Sequence, residues 1–281
     1  MKSMEDIQKL KEIQDMEFLA FEQIKRICYQ NNITFYMRGG SVLGAVKYQG
    51  FVPWDDDIDI ALPRKDYLKL IEIMPQYFGE NFQFISYQKV KNAHCYFPRV
   101  VLTKEFCEKA GLPQNNERGL VLIDVLPLDG MPDNRFVRSI HILKAYICRC
   151  LASLWTLDVK NTVSMHKEGH QKILKVLHAL KIHRLYKQDT IYKYLDEMYA
   201  RYDFRTTKYS GMLSSSKLSK EIVKSEWWGE GAEKCFREIM VKVPSKYDGY
   251  LEKLFGDNYA DYEPPEEERK KSHLRGVARN K

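Results

Sequence analysis

An acidic run at residues 54–60, WDDDIDI, holds the side chains best suited to chemistry. Its alternating pattern predicts a strand that carries Asp55, Asp57 and Asp59 on one face, with the isoleucines turned into the core. Carboxylates this close raise one another's pKa unless a cation lies among them, and hard oxygen ligands favour Mg²⁺ or Mn²⁺. The run therefore predicts a strand-borne metal site. It does not match an EF-hand, because Ile60 stands where that loop requires glycine.

A glycine turn precedes the acidic run and opens a helix-compatible stretch. Gly39 and Gly40 let the backbone approach an anion, and Ser41 with the helix N-terminus supplies N–H donors for phosphate oxygens. Such triplets are common in plain turns. Ser41 lies 16 residues before Asp57, however, and a turn paired at this distance with Asp-x-Asp predicts a phosphate site beside a metal site.

A third carboxylate, Asp124, lies between Ile123 and Val125 in an apolar strand. An unpaired charge there is costly. Two interpretations stay open from the residues alone: a buried acid satisfied by hydrogen bonds, or a third metal ligand.

These motifs together resemble a known superfamily. Gly-Ser before a helix, then two aspartates alternating with hydrophobic residues, then a third aspartate on a later strand is similar to the DNA polymerase β type nucleotidyltransferases. The exact sequence of these motifs resembles the LicD family more closely still, and that family is related to the fukutin-type transferases. Three stretches carry this resemblance: RGGSVLGAVKYQGFVPWDDDIDIALPRKDY, RGLVLIDVLPLDG and VPSKYDGYLEKLFGDNYADYEPPEEERKKSH.

The resemblance implies a nucleotidyltransferase-like core that transfers phosphocholine from CDP-choline to a hydroxyl of a cell-surface glycan precursor, such as teichoic acid or lipopolysaccharide, and releases CMP. Asp57, Asp59 and Asp124 become catalytic metal ligands in a two-metal scheme, and Asp124 is also a candidate to accept the acceptor's proton. Gly39, Gly40 and Ser41 become ligands of the donor phosphates, and Asp55 a supporting ligand. The choice of choline over another headgroup comes from the family alone.

Two other hypotheses stay open. One is a nucleotidyltransferase that adds a nucleoside monophosphate to a small-molecule hydroxyl, and the other is a non-catalytic nucleotide-binding protein. The motif alone does not separate them, because it does not say which phosphorus is attacked.

Cationic and aromatic residues near the motifs are further candidates. Arg38, Lys47, Arg64 and Arg99 are placed to meet a diphosphate, and Arg38 and Lys47 are the preferred pair. His273 in the tail is a candidate substrate contact. The Trp227-Trp228 pair is suggestive of a choline site, but two adjacent side chains on an extended chain point apart, so no aromatic cage is assigned.

Composition places the chain among globular proteins. Its 281 residues carry 45 Lys plus Arg against 38 Asp plus Glu, 44% hydrophobic residues and six cysteines without a C-x-x-C pair. The net charge of +7 favours anionic partners, but no nucleic-acid motif is present. Reduced thiols and no signal peptide predict a cytoplasmic protein. The basic segment at 134–208 fits an acceptor that is polyanionic or lipid-linked, with a peripheral contact at the inner face of the membrane; a solvated helical surface is the alternative interpretation.

The order of patterns predicts an α+β fold with a small mixed sheet. Residues 1–132 are predicted to form the catalytic core behind an N-terminal helix, and residues 209–281 to complete the active site. Strands are expected at 33–36, 57–62, 82–87, 96–102, 120–126 and 209–214. Residues 133–208 form a basic helical insertion or subdomain; from 134 to 208 we count 15 Lys plus Arg against six acids.

Overall fold

A computed structural model describes residues 4–157, 168–215, 218–261 and 263. The fold is α+β, as predicted. The helices are α1 (Met4–Gln30), α2 (Gly39–Leu43), α3 (Arg64–Ile73), α4 (Lys104–Ala110), α5 (Arg135–Thr156), α6 (Glu168–Ala179), α7 (Gln188–Tyr199) and α8 (Tyr247–Phe255). The strands are β1 (Tyr36–Met37), β2 (Ile58–Pro63), β3 (Phe82–Ile85), β4 (Arg99–Thr103), β5 (Gly119–Met131), β6 (Tyr209–Gly211), β7 (Val223–Lys224), β8 (Ala232–Phe236) and β9 (Ile239–Val243).

Five strands form the centre of a mixed sheet in the order β1-β2-β5-β4-β3. The β2–β5 pair is parallel, and the other pairs in this row are antiparallel. The far end of β5 continues into a second pairing with β6, which pairs with β7. Strands β8 and β9 form a separate hairpin. The longest strand therefore links the sheet centre to the segment that follows the helices.

The core explains why β2 and β5 lie side by side. Ile58 and Ile60 of β2 and Ile123 and Val125 of β5 are fully buried in the main hydrophobic cluster. Every second residue of β2 and β5 is thus fixed inward, and Asp59 and Asp124 point to the opposite face.

Helix α1 presents an apolar stripe that includes Ile13, Phe21 and Ile24 to the same cluster. The three-residue spacing of its apolar residues would also place Ile7 and Leu19 on this stripe, but they are 56% and 51% exposed, because three-residue steps drift around a helix of 3.6 residues per turn.

Several predicted strand boundaries are wrong, and proline lies at two of them. The strands predicted at 82–87 and 209–214 end early, at Ile85 and Gly211. The strand predicted from residue 96 begins at Arg99, after Pro98. Pro127 does not end β5, which continues to Met131. The pairing of β5 with β4 stops at Asp124, so the backbone N–H that proline lacks would face a side of β5 without a partner strand. The strand predicted at 33–36 begins only at Tyr36.

The helical segment packs on the sheet extension. Helices α5 and α7 form a small second cluster that includes Met131, Ala145, Leu195 and Tyr199. Residues 158–167 of this segment, and the tail with His273, lie outside the described residues. Over the described residues, no helix has both the length and the apolar character that crossing a bilayer needs.

Arg64, the first residue of α3, ties the sheet to the helical segment. Its Nε donates to Asp129 Oδ1 of β5 at 2.8 Å, a terminal nitrogen pairs with the same carboxylate, and the other terminal nitrogen pairs with Asp196 of α7. The three side chains are 15%, 3% and 17% exposed. Arg64 is thus engaged in a buried ion network away from the acidic run.

We predict that Asp129→Ala destabilises the fold by about 3 kcal/mol, because it leaves the Arg64 guanidinium short of a buried partner. Urea denaturation measures the free energy of unfolding. Glu108→Ala is the control, since its pair with Lys104 lies on the surface, and it should cost less than about 0.5 kcal/mol. Equal effects of the two variants would contradict the assigned role of Arg64.

Candidate active site

Two aspartates lie side by side at the centre of the sheet. Asp59 of β2 and Asp124 of β5 are direct partners in the parallel ladder, so their side chains leave the same face. The side chains are 20% and 21% exposed, which leaves both carboxylates open to solvent on one side. Residues that are 65 positions apart in the chain thus form one edge of a candidate site.

The acidic run does not form one continuous strand face. Strand β2 starts at Ile58, and Asp55 lies in a turn where its N–H donates to the Val52 carbonyl at 3.0 Å. The prediction that three aspartates share a strand face is therefore wrong for Asp55, because the Pro53-Trp54 turn runs directly into it. Asp57 immediately precedes β2, and the intervening Asp56 is 1% exposed.

Each aspartate of the central pair has an arginine partner. Arg38 Nη1 lies 2.9 Å from Asp59 Oδ2, and Arg99 Nε donates to Asp124 Oδ1 at 2.8 Å. The guanidinium of Arg99 also lies over the Phe97 ring. Arg38 and Arg99, two of the four predicted cations, therefore reach the site, where they neutralise carboxylates.

The two arginines nevertheless do not offset all of the acidic groups in the site. Burial raises the pKa of Asp59 to about 8; Arg38 opposes the rise, whereas Asp57 and Asp124 add to it. Asp57 and Asp124 are thus close enough to Asp59 to disfavour its ionisation.

The glycine turn packs directly against the aspartates. Gly39 has a φ of +55°, a backbone conformation that favours glycine. A Cβ atom on Gly40 would lie 2.8 Å from Asp55 Oδ2, so this carboxylate lies directly against the glycine backbone. Ser41 Oγ accepts the Asp59 N–H at 2.9 Å. The turn and the acidic run are therefore one unit, built by close contact between backbone and side chain.

Two of the turn's amides already have partners within the chain. The Gly39 N–H donates to the Tyr250 hydroxyl at 2.9 Å, and the Ser41 N–H donates to the Arg38 carbonyl at 3.1 Å. A donor phosphate that takes these amides must replace those contacts.

Three residues near the site were missed by the sequence reasoning. Glu221 forms a two-point ion pair with Arg38, with Arg38 Nε donating at 3.1 Å, and Ser215 Oγ lies 2.6 Å from Glu221. Tyr250 of α8 is fully buried, and burial raises its pKa. Glu221 and Ser215 stand in a stretch without a chemical motif, whereas Tyr250 lies in the last of the three stretches that resemble the LicD family. The available signal was Arg38 itself, because an arginine beside a buried strand needs a carboxylate partner.

Lys47 and the tryptophans lie at the border of this region. Lys47 is in the π-helical turn that continues α2, with its ammonium 5.2 Å from the Tyr48 ring centroid, and Tyr48 packs edge-on against Trp54. Trp228 is fully buried beside Tyr250. Its indole is part of the core and is not exposed to a headgroup.

Glu17 is a buried acid that the sequence reasoning also missed. It is fully buried on α1, and neither carboxylate oxygen has a hydrogen-bond partner among the described residues. Burial raises the pKa of Glu17 well above its usual value, and Asp57, Asp56 and Asp55 raise it further. The signal was present, because Glu17 falls four residues after Ile13 in the apolar stripe of α1.

The donor set has the chemistry that a hard divalent cation prefers. Around the central pair lie four carboxyl groups, those of Asp57, Asp59, Asp124 and Glu221, and two guanidinium groups, those of Arg38 and Arg99, so acidic groups outnumber basic groups by two. Across the described part of the chain, no three His, Cys, Asp or Glu side chains are already gathered in a geometry suited to a metal. The residues fit Mg²⁺ or Mn²⁺ by charge and oxygen chemistry, and binding requires their side chains to reorient.

Comparison with known proteins gives a consistent result. The family model for the LicD/FKTN/FKRP nucleotidyltransferase domain matches residues 32–110, which include the glycine turn, Asp57 and Asp59. The chain is 22% identical over 255 residues to a lipopolysaccharide cholinephosphotransferase LicD of Haemophilus influenzae, covering 88% of this chain and 89% of that protein. An uncharacterized protein of Rickettsia prowazekii is 28% identical over 118 residues, 42% of this chain and 41% of its own length.

We predict that Glu17→Met raises the free energy of unfolding above that of the wild type, and that this gain increases with pH. The raised pKa of Glu17 means that the native state retains a proton that the unfolded state releases, so wild-type stability falls as pH rises from the unfolded-state pKa through the native one. Methionine removes this loss and the unpartnered oxygens, with an expected gain of about 1–3 kcal/mol at pH 8 and less at pH 5.

Urea denaturation at these two pH values measures the difference. Glu22→Met, on the exposed face of the same helix, is the matched control and should change stability little at either pH. A gain for Glu17→Met that does not grow with pH would show that Glu17 is not held protonated.

Proposed function

We propose that the chain is a transferase of the LicD family, which its motifs resemble, and that it transfers phosphocholine from CDP-choline to a hydroxyl of a cell-surface glycan precursor; the match to the LicD/FKTN/FKRP domain and the similarity to a lipopolysaccharide cholinephosphotransferase support this proposal. The observation that carries the proposal is the pairing of Asp59 with Asp124 on one face of the sheet, against the Gly39-Gly40 turn. Together they form a compact acidic site next to a glycine turn, where no side chain covers the backbone. A cytoplasmic location, with the acceptor lipid-linked at the inner membrane face, is part of the proposal.

The reaction needs one bond formed and one broken. The acceptor hydroxyl oxygen attacks the phosphorus that bears choline, the bond from this phosphorus to the bridging oxygen breaks, and CMP leaves. The hydroxyl proton passes to a carboxylate, and our candidate is Asp124, whose side chain is partly exposed to solvent.

Metal and phosphate ligands follow from the same placement. Asp57, Asp59 and Asp124 are the proposed ligands of Mg²⁺ or Mn²⁺, which when bound supplies positive charge that neutralises the diphosphate. Gly39, Gly40 and Ser41 are the proposed contacts of the donor phosphates. Lys47 and Arg38 are the proposed cations that meet the donor diphosphate, and Arg38 also pairs with Asp59 and Glu221.

Product analysis tests the proposal. The purified chain is incubated with Mg²⁺, a lipopolysaccharide or teichoic acid precursor and either CDP-choline or a nucleoside triphosphate. CMP released only when CDP-choline and acceptor are both present supports the proposal. Pyrophosphate released from the triphosphate instead would show nucleotidyl transfer, and release of neither would show a binding protein; both results contradict phosphocholine transfer.

We predict that Asp59→Asn and Asp124→Asn each lower the rate of CMP release at least about a hundredfold, because each removes a charged oxygen at the reacting phosphate. The measurement is kcat at saturating Mg²⁺. Asp189→Asn on α7, an exposed aspartate outside the site, is the matched control and should keep the wild-type rate. Near-normal turnover in both site variants, with an intact thermal unfolding transition, would refute the assignment of these aspartates.

A further inference from the structure

Helix α5 carries an exposed apolar stripe along one side. Phe136, Ile140, Leu143 and Ile147 are spaced by four, three and four residues, so they lie on one face of the helix. Their exposed fractions are 74%, 39%, 57% and 49%. A contiguous row of large apolar side chains on a protein surface marks a contact site more often than chance exposure.

The opposite side of α5 is fully used in packing. Ala145 is buried in the second cluster, Arg138 lies over the Tyr209 ring, and Arg149 donates to the carbonyl oxygens of Leu213 and Ser215 at 2.9 and 2.7 Å. The inner face therefore anchors the helix. The apolar row on the outer face contributes nothing to that anchoring.

Within the two stretches that carry these exposed apolar residues, every charged side chain is basic. No acidic residue occurs at 134–157 or 174–188, the parts of α5, α6 and the following turn whose side chains are described. Exposed apolar residues continue along α6, which packs against α5. The exposed cations of these two stretches are Arg135, Lys144, Lys175, Lys181, Arg184 and Lys187, and the additional exposed apolar residues are Val176, Leu180 and Leu185.

We propose that this surface, the outer face of α5 with the adjoining basic residues of α6, docks on the anionic surface of a lipid bilayer. Large apolar side chains flanked by lysine and arginine are the composition of helices that lie in a membrane interface. A second copy fits less well, because a symmetric contact would bring the same cations together. The docking is peripheral, as no described helix is suited to span the bilayer.

Docking places the candidate active site near the lipid. Arg149 and the stripe lie on opposite sides of one helix, whose diameter is about 10 Å with side chains. Arg149 holds Ser215, which contacts Arg38 beside Asp59. The inference stands apart from the proposed reaction, since it depends on the surface of α5 and α6 and requires no catalysis.

Vesicle cosedimentation of the full chain tests the proposal. The wild type should bind vesicles of phosphatidylcholine with one third phosphatidylglycerol, bind pure phosphatidylcholine weakly, and dissociate as salt is raised. Phe136→Gln/Leu143→Gln should lower the partition coefficient at least about tenfold, because two apolar side chains no longer enter the interface. Lys144→Glu/Lys181→Glu should weaken binding to the anionic vesicles specifically.

Matched controls lie elsewhere on the surface. Leu68 of α3 is 47% exposed, a fraction similar to the 57% of Leu143, and Lys109 is an exposed lysine of α4. Leu68→Gln and Lys109→Glu should therefore bind vesicles like the wild type. Thermal unfolding verifies that every variant is folded. Wild-type binding that is absent, or equal in the stripe variants and the controls, overturns the proposal. A dimer in sedimentation velocity that the stripe variant abolishes would overturn it as well, by assigning the face to a second copy.

Discussion

The site depends on one guanidinium group buried between two carboxylates. Arg38, 8% exposed, follows β1 and pairs with Asp59 of β2 and with Glu221 from a segment more than 180 residues away. Removing a charge from water is costly, and only well-placed partners offset that cost. Because Arg38 is satisfied only when the first strand, the sheet centre and the late segment have all docked, this ion network couples formation of the site to completion of the fold.

The same network leaves the site with more negative than positive charge. Two arginines oppose four carboxylates around the central pair, Asp59 keeps a raised pKa despite its contact with Arg38, and Glu17 lies beneath the acidic turn as a buried acid. Such an arrangement stores unfavourable electrostatic energy in the absence of a cation. Functional sites often contain such clusters of like charge, which make the folded protein less stable than its packing alone would make it.

The sequence predicts those parts of the structure that follow a regular spacing of hydrophobic residues or a family motif. The N-terminal helix, the α+β class and the resemblance to the LicD domain were predicted, and the alternation of residues in β2 placed Asp59 on the face opposite the inward isoleucines. The roles of Glu221, Ser215 and Tyr250 were not predictable, because they arise from contacts over long chain distances. Asp55 was misplaced on a strand, since a periodic pattern does not show where a turn gives way to regular pairing.

The one-to-one pairing of β2 with β5 makes the site sensitive to insertions and deletions in some places and indifferent to them in others. Residues 64–118 connect the two strands, and lengthening a loop there leaves Asp124 opposite Asp59. Loss of a single residue within β5 would instead invert its alternation and bury a carboxylate among isoleucines. Two chains of this type can therefore differ widely in length and share the same chemistry, whereas a one-residue gap inside either strand would separate an enzyme from an inert relative.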